Sequence, residues 1–168
     1  MKFAAIASLA VMATLAFPSK SQAAETYRYD VRSAADICRP ARSIYDGKIR
    51  TKPLGVVNES SSVAWVTCAL TGDMVGNTTV IELVFTTPGN EPRTCTLVSW
   101  RATNTGIGAI GYQPGSTVVV SGWDTRIRWT SANHNGGARY ASTAISCPLE
   151  PGDGIVHVKH MYYEDIGQ

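Results

Sequence analysis

The chain has four cysteines, Cys38, Cys68, Cys95 and Cys147, and each stands alone in its segment. None is spaced CxxC, whereas a zinc site brings its ligands in close pairs, so the set reads as two disulfides. Three of the four lie in runs whose residues alternate with the two-residue period of a strand. Val63 to Leu70 (VAWVTCAL) puts Ala64, Val66, Cys68 and Leu70 on one face. Arg93 to Trp100 (RTCTLVSW) joins Cys95 to Leu97, and Arg139 to Cys147 aligns Thr143, Ile145 and Cys147. The cysteines share the core-directed faces, so any fold must bring those faces together.

Further strands are expected at Tyr27–Val31, Thr78–Thr86, Thr117–Trp123, Arg126–Thr130 and Ile155–Tyr163. These runs are rich in Val, Ile, Thr, Trp and Tyr and are separated by Gly, Pro and Asn clusters such as Pro88-Gly89-Asn90. One short helical turn, Ala34–Cys38 started by Ser33, is the exception. The sum is an all-β chain: a single antiparallel β-sandwich, jelly-roll or immunoglobulin-like, of about seven to nine short strands stapled by two disulfides.

Residues 1–23 read as a cleavable signal peptide. Lys2 gives the positive start, Phe3 to Phe17 the apolar run, Pro18 a helix break, and Ser21 and Ala23 the small residues that a signal peptidase reads. The mature chain is expected to begin Ala24-Glu25-Thr26-Tyr27, leaving residues 24–168 as one domain in the periplasm or outside the cell. The apolar run is shorter than the roughly 18–20 residues of a spanning helix. No cysteine follows the cleavage point for lipid attachment, and no membrane association is expected after cleavage. Lys2 and Lys20 leave with the signal, so the fifteen Lys and Arg fall to thirteen, against thirteen Asp and Glu. A formal charge of zero argues against nucleic acid as a partner.

Cys38-Arg39-Pro40, Gly55-Val56-Val57-Asn58, Val66-Thr67-Cys68-Ala69-Leu70, Cys95-Thr96-Leu97 and Ser146-Cys147-Pro148-Leu149, with a last strand ending in Glu164, form a pattern. It resembles a loose group of small secreted four-cysteine β-sandwich proteins of Gram-negative bacteria. The resemblance spans nearly all of the mature chain and implies the fold and the export, without an activity.

Gly106-Ile107-Gly108-Ala109-Ile110-Gly111 matches the dinucleotide fingerprint GxGxxG, but Tyr112-Gln113-Pro114-Gly115 breaks the helix that must follow. The segment reads as a loop between strands, and no cofactor is expected. His157 and His160, three apart on a strand, point to opposite faces, and His134 lies in a Gly/Asn turn; each reads as an exposed or edge histidine rather than a metal ligand. No serine sits in a GxSxG elbow. Glu82, in Val80-Ile81-Glu82-Leu83-Val84, reads as a charge on an exposed face that discourages strand pairing, the other reading being a buried acid. Asn58-Glu59-Ser60 and Asn77-Thr78-Thr79 match the glycosylation sequon, which a bacterial periplasm does not normally use.

The candidate binding surface is Trp123, Arg126 and Arg128, with Tyr112 from the Gly106–Gly115 segment. Arg126 and Arg128 share one face of a strand whose other face carries Ile127 and Trp129, and Trp and Arg are the usual anchors of binding surfaces. The expected function is a non-enzymatic binding or structural domain with a protein or glycan ligand. The alternatives are an inhibitor of a secreted hydrolase presenting the Gly106–Gly115 segment, a polysaccharide- or peptide-acting hydrolase, and an eight-stranded outer-membrane barrel. The barrel is disfavoured by core-linking disulfides and by strands shorter than nine residues.

The disulfide pairing is expected to be Cys38–Cys68 and Cys95–Cys147. Cys38 precedes the main run of strands and needs a tie to the nearest core strand, while Cys95 and Cys147 both lie on apolar strand faces. The alternative, Cys38–Cys95 with Cys68–Cys147, is like the inter-sheet bridge of immunoglobulin domains.

Overall fold

The computed structural model describes residues 24–70, 78–86, 93–103, 106–116, 118–120, 124–132 and 140–166. Residues 1–23, on which the expected signal peptide falls, and Trp123 and His134 lie outside these residues. Twelve strands are formed among them: β1 Glu25–Ser33, β2 Cys38–Pro40, β3 Ile49–Lys52, β4 Gly55–Asn58, β5 Ala64–Leu70, β6 Thr78–Phe85, β7 Thr94–Thr103, β8 Gly106–Ser116, β9 Val118–Val120, β10 Asp124–Thr130, β11 Tyr140–Leu149 and β12 Gly154–Asp165. The one α-helical turn, α1 Ala34–Ile37, is capped by Ser33, whose side chain accepts from the Ala35 backbone N–H at 3.2 Å.

All pairings are antiparallel, and the strands group into two sheets. The front sheet runs β2-β5-β11-β7-β8. In the back sheet β12 pairs β6 on one side, with β10 and β9 beyond it, while β1 and β4 share its other edge and β3 extends β4. A single residue pair, Tyr140↔Thr78, joins the sheets at one corner. Their inner faces bury Val66, Leu97, Ile145 and Leu149 from the front against Ile81, Leu83, Ile127, Trp129 and Val158 from the back. Each such side chain contributes about 1.5–3 kcal/mol by leaving water, which is why alternation in the sequence locates the faces.

The strand count exceeds the expected seven to nine. β2, β3 and β4 are edge elements of three or four residues, too short to show a period. Gly106–Ser116 is also a strand rather than a loop. Its inward positions, Gly111, Gln113 and Gly115, alternate with the outward Ile110, Tyr112 and Pro114 along an eleven-residue ladder with β7. Glycine is poor in strands in general. Here it is used where β8 meets β10, because a Cβ on Gly115 would fall 2.7 Å from Ile127 Cγ2. The strands are also longer than the barrel argument assumed, since β7, β8, β11 and β12 have 10, 11, 10 and 12 residues.

Both disulfides take the expected pairing, Cys38–Cys68 and Cys95–Cys147. Both lie inside the front sheet between neighbouring strands, rather than across the core. Cys38 is the direct register partner of Cys68, and the ladder Ile145↔Leu97, Ser146↔Thr96 places Cys147 opposite Cys95. The Cα separations, 3.9 and 4.5 Å, are those of close facing positions in an antiparallel pair. The bridges tie β2 to β5 and β7 to β11, leaving the β5–β11 seam to hydrogen bonds and packing.

Asn58 and Arg93 are polar residues inside the fold with well-placed partners. Asn58 is fully buried; its Nδ2 donates to the Ser62 and Leu149 carbonyls at 2.8 and 2.7 Å, and its Oδ1 accepts from the Ser60 N–H and hydroxyl. An amide so engaged is closed to glycosylation in the folded state. Arg93 and Asp153 form a buried two-pronged ion pair beneath the Phe85 ring.

Candidate binding surfaces

Arg126 and Arg128 stand on the outer face of the back sheet, opposite Val84 and Glu82 in the ladder. The neighbour of Glu82 on the other side is Lys159. The Glu82 carboxylate accepts from Arg126 Nη1 at 3.4 Å and lies 3.6 Å from Arg128 Nε. It is therefore flanked by cations on both neighbouring strands. Glu82 does occupy the outer face, yet only 2% of its side chain is exposed, and β6 is paired on both edges. The expectation of an exposed, pairing-discouraging charge fails: the long side chains of Arg126 and Arg128 reach an outer-face carboxylate and help to cover it. The arginines are engaged with this carboxylate rather than standing free, with 26% and 52% of their side chains exposed.

Tyr112, 69% exposed, leaves the sandwich from the other sheet, where it faces Val98 across the β7–β8 ladder. The candidate residues Tyr112, Arg126 and Arg128 therefore do not converge. Trp123, the fourth, lies outside the described residues; Asp124 begins β10 beside Val120.

The histidines separate as strand parity requires. His157 takes an outer-face position opposite Val84, whereas His160 pairs with Ile81 on the inner face and is buried. Burial lowers the His160 pKa below the usual histidine value, with Asp30 working against the shift and Arg32 adding to it. An exposed or edge His160 was expected; it lies instead on a strand paired on both sides, which turns it inward because it shares parity with Val158, a core residue. At the corner of the fold, Tyr140 donates to Gln113 Oε1 at 3.1 Å and Trp129 Nε1 to the Gln113 carbonyl at 3.0 Å. Burial pushes the Tyr140 phenol well above its ordinary range. No group of three or more His, Cys, Asp or Glu suited to a metal occurs among the described residues.

The outer face of the front sheet has a different chemistry. β5, β7, β8 and β11 contain no acidic residue, and Arg101 is their only charged one. Rows across the sheet read Trp65–Pro148, then Thr67–Ser146–Thr96–Pro114, then Ala69–Ala144–Val98–Tyr112, then Trp100–Ile110. Trp65, Trp100, Ile110 and Tyr112 are all exposed, with hydroxyl side chains between them.

Beside Trp65 this face deepens into a groove of about 400 Å³ lined by Ala41, Arg42, Tyr45, Trp65 and Ser146. The groove wall is built locally. The Ala41 N–H donates to the Trp65 carbonyl at 2.8 Å, prolonging the β2–β5 pairing, and a 3₁₀ turn at Ser43–Tyr45 folds the chain back. Sequence reasoning passed over Trp65, although the alternation that sends Val66 and Cys68 inward sends Trp65 outward. Arg42 and Tyr45 carry no such signal, because the turn that places them depends on β2 docking.

Comparison with models of known families, with curated proteins and with solved structures finds no match.

Proposed function

We propose that the protein is an exported, non-enzymatic binding domain that works in the periplasm or outside the cell. The observation that carries this reading is the outer face of the front sheet: a broad, acid-free surface of exposed aromatic rings and hydroxyls. A soluble domain ordinarily covers an outer sheet face with charged residues, and exposed aromatic clusters mark sites of interaction. Two disulfides held in neighbouring strands support an oxidising compartment and keep that face rigid. Against the hydrolase alternative, the most buried carboxylate on the back sheet's outer face is flanked by cations, where a glycosidase needs a second carboxylate. The inhibitor alternative loses its presenting loop, since Gly106–Ser116 is paired along a ladder.

The test is affinity capture with the immobilised mature protein from native envelope material and culture fluid, followed by protein and sugar analysis of what is retained. A specific ligand is expected, retained unchanged and equally well by Glu82→Gln and His160→Gln variants. Turnover of the retained material that stops on either replacement would overturn the reading in favour of an enzyme. Specific retention of nothing would overturn it as well.

A further inference from the structure

We propose that the groove at Trp65 and the face leading from it bind a glycan chain that carries carboxylated sugar residues. This deepens the binding reading above and rests on it.

The chemistry of the groove is the argument. Trp65 and Tyr45 supply aromatic surface, on which the C–H face of a pyranose stacks, and Ser146 supplies a hydroxyl. Arg42 lines the same groove and makes no ion pair among the described residues. A guanidinium is shaped to hold a carboxylate by two parallel hydrogen bonds. Two further cations stand on adjoining elements and add to the positive field: Arg39, opposite Thr67 in the ladder and donating to the Ala35 and Cys38 carbonyls, and Lys48, bonded to Ser62 Oγ with its Nζ 5.9 Å from the Tyr45 ring centre. No acidic side chain on the four strands of the face offsets them. The site therefore favours an anion attached to a flat, hydroxyl-rich body.

Beyond the groove, Thr67, Ser146 and Thr96 form a hydroxyl row that leads towards Tyr112 and Trp100. From Trp65 to Trp100 the track covers three two-residue steps along the strands and two strand spacings, on the order of 20 Å. Along this track a hydroxyl row separates the Trp65 ring from the apolar rows of Ala69, Ala144, Val98 and Tyr112 and of Trp100 and Ile110, a succession of apolar and hydroxyl-bearing surface like that along a sugar polymer.

The experiment is calorimetric titration of the mature protein with galacturonic acid oligomers of two to six residues, and with the same oligomers as neutral methyl esters. The free acids are expected to bind with affinity that rises with length and falls with added salt, and the esters about tenfold more weakly. Arg42→Gln should remove the difference between acid and ester. Trp65→Ala should weaken both by about tenfold or more, with an unchanged circular dichroism spectrum showing that the fold persists. Equal binding of acid and ester by the unaltered protein would overturn the carboxylate recognition while leaving a glycan-binding domain intact. Binding of neither, with capture in the previous experiment undiminished by Trp65→Ala, would overturn this site and leave the binding function standing. A concentration-dependent dimer abolished by Trp65→Ala would assign the face to a second copy of the chain, and so overturn the glycan.

Discussion

A Cβ placed on Gly115 would stand 2.6 Å from the indole Nε1 of Trp129, so β8 of one sheet and β10 of the other approach at a point where only glycine fits. The same contact lets Trp129 donate to the carbonyl of Gln113, whose side chain receives the Tyr140 hydroxyl. These four residues tie the two sheets together at this corner.

Gly115→Ala is therefore expected to destabilise the protein by about 1–3 kcal/mol, the usual cost of forcing an atom into a packed core. Denaturant titration should show a lower midpoint with an unchanged slope. An Ala variant of native stability would mean that β8 lies further from β10 than described.

The disulfides give a covalent prediction. Unreduced peptide mapping should yield fragments joining Cys38 to Cys68 and Cys95 to Cys147; a fragment joining Cys68 to Cys147 would contradict the register, which sets Cys68 opposite Ile145. Their sequence separations are 30 and 52 residues, so the chain-entropy model gives each about 3.5–4 kcal/mol. Replacing Cys95 and Cys147 together by Ala should cost at least as much as replacing Cys38 and Cys68.

Glu82, Arg126 and Arg128 should behave as one unit. Arg126→Met leaves a covered carboxylate with fewer donors and is expected to cost about 1–3 kcal/mol. Adding Glu82→Leu should return part of that loss, because the charge that needed a partner is gone. A double-mutant cycle on unfolding free energies measures the coupling; strict additivity would show that the cluster holds no shared energy.

His160 makes stability depend on pH in one direction. Its folded-state pKa lies below the ordinary histidine value of about 6.5, so the unfolded chain takes up the proton first as pH falls. The stability it contributes is complete above about 6.5 and declines as pH falls below that value, towards the folded pKa. Urea midpoints measured from pH 8 to pH 5 should fall at the acid end. His160→Gln should flatten part of that decline, and an unaltered slope would remove His160 as its source.

How much of this was legible in the sequence depends on range. Alternation at a period of two fixed the faces of Ala64 to Leu70, of Cys95 and Leu97, and of Ile145 and Cys147, because a strand's inward and outward sides are decided by neighbours two residues away. Ser33 announced its helical turn for the same local reason. Glu82 was misjudged because its cover comes from Arg126 and Arg128, some 44 residues and more along the chain. His160 was misjudged because its neighbour Ile81 is more distant still, 79 residues back in the chain. β8 was misread because glycine has two uses, in loops and at close strand approaches, and only Trp129 and Ile127 distinguish them. Tyr112 and the arginines could not be assigned to different sheets without knowing that β8 pairs β7 while β10 pairs β6.

The order of strands in the two sheets also sets a schedule for assembly. Every strand of the front sheet precedes Glu150 in the chain, so that sheet can pair and both its disulfides can close without β12. The back sheet cannot, because β12, its central member, comes last and is the sole register partner of β1. Tyr29 must wait for Met161, the kind of distant pairing that slows folding. The covalent ties of the fold are therefore independent of its last strand, while the back sheet is complete only once β12 has joined β6, β1 and β4.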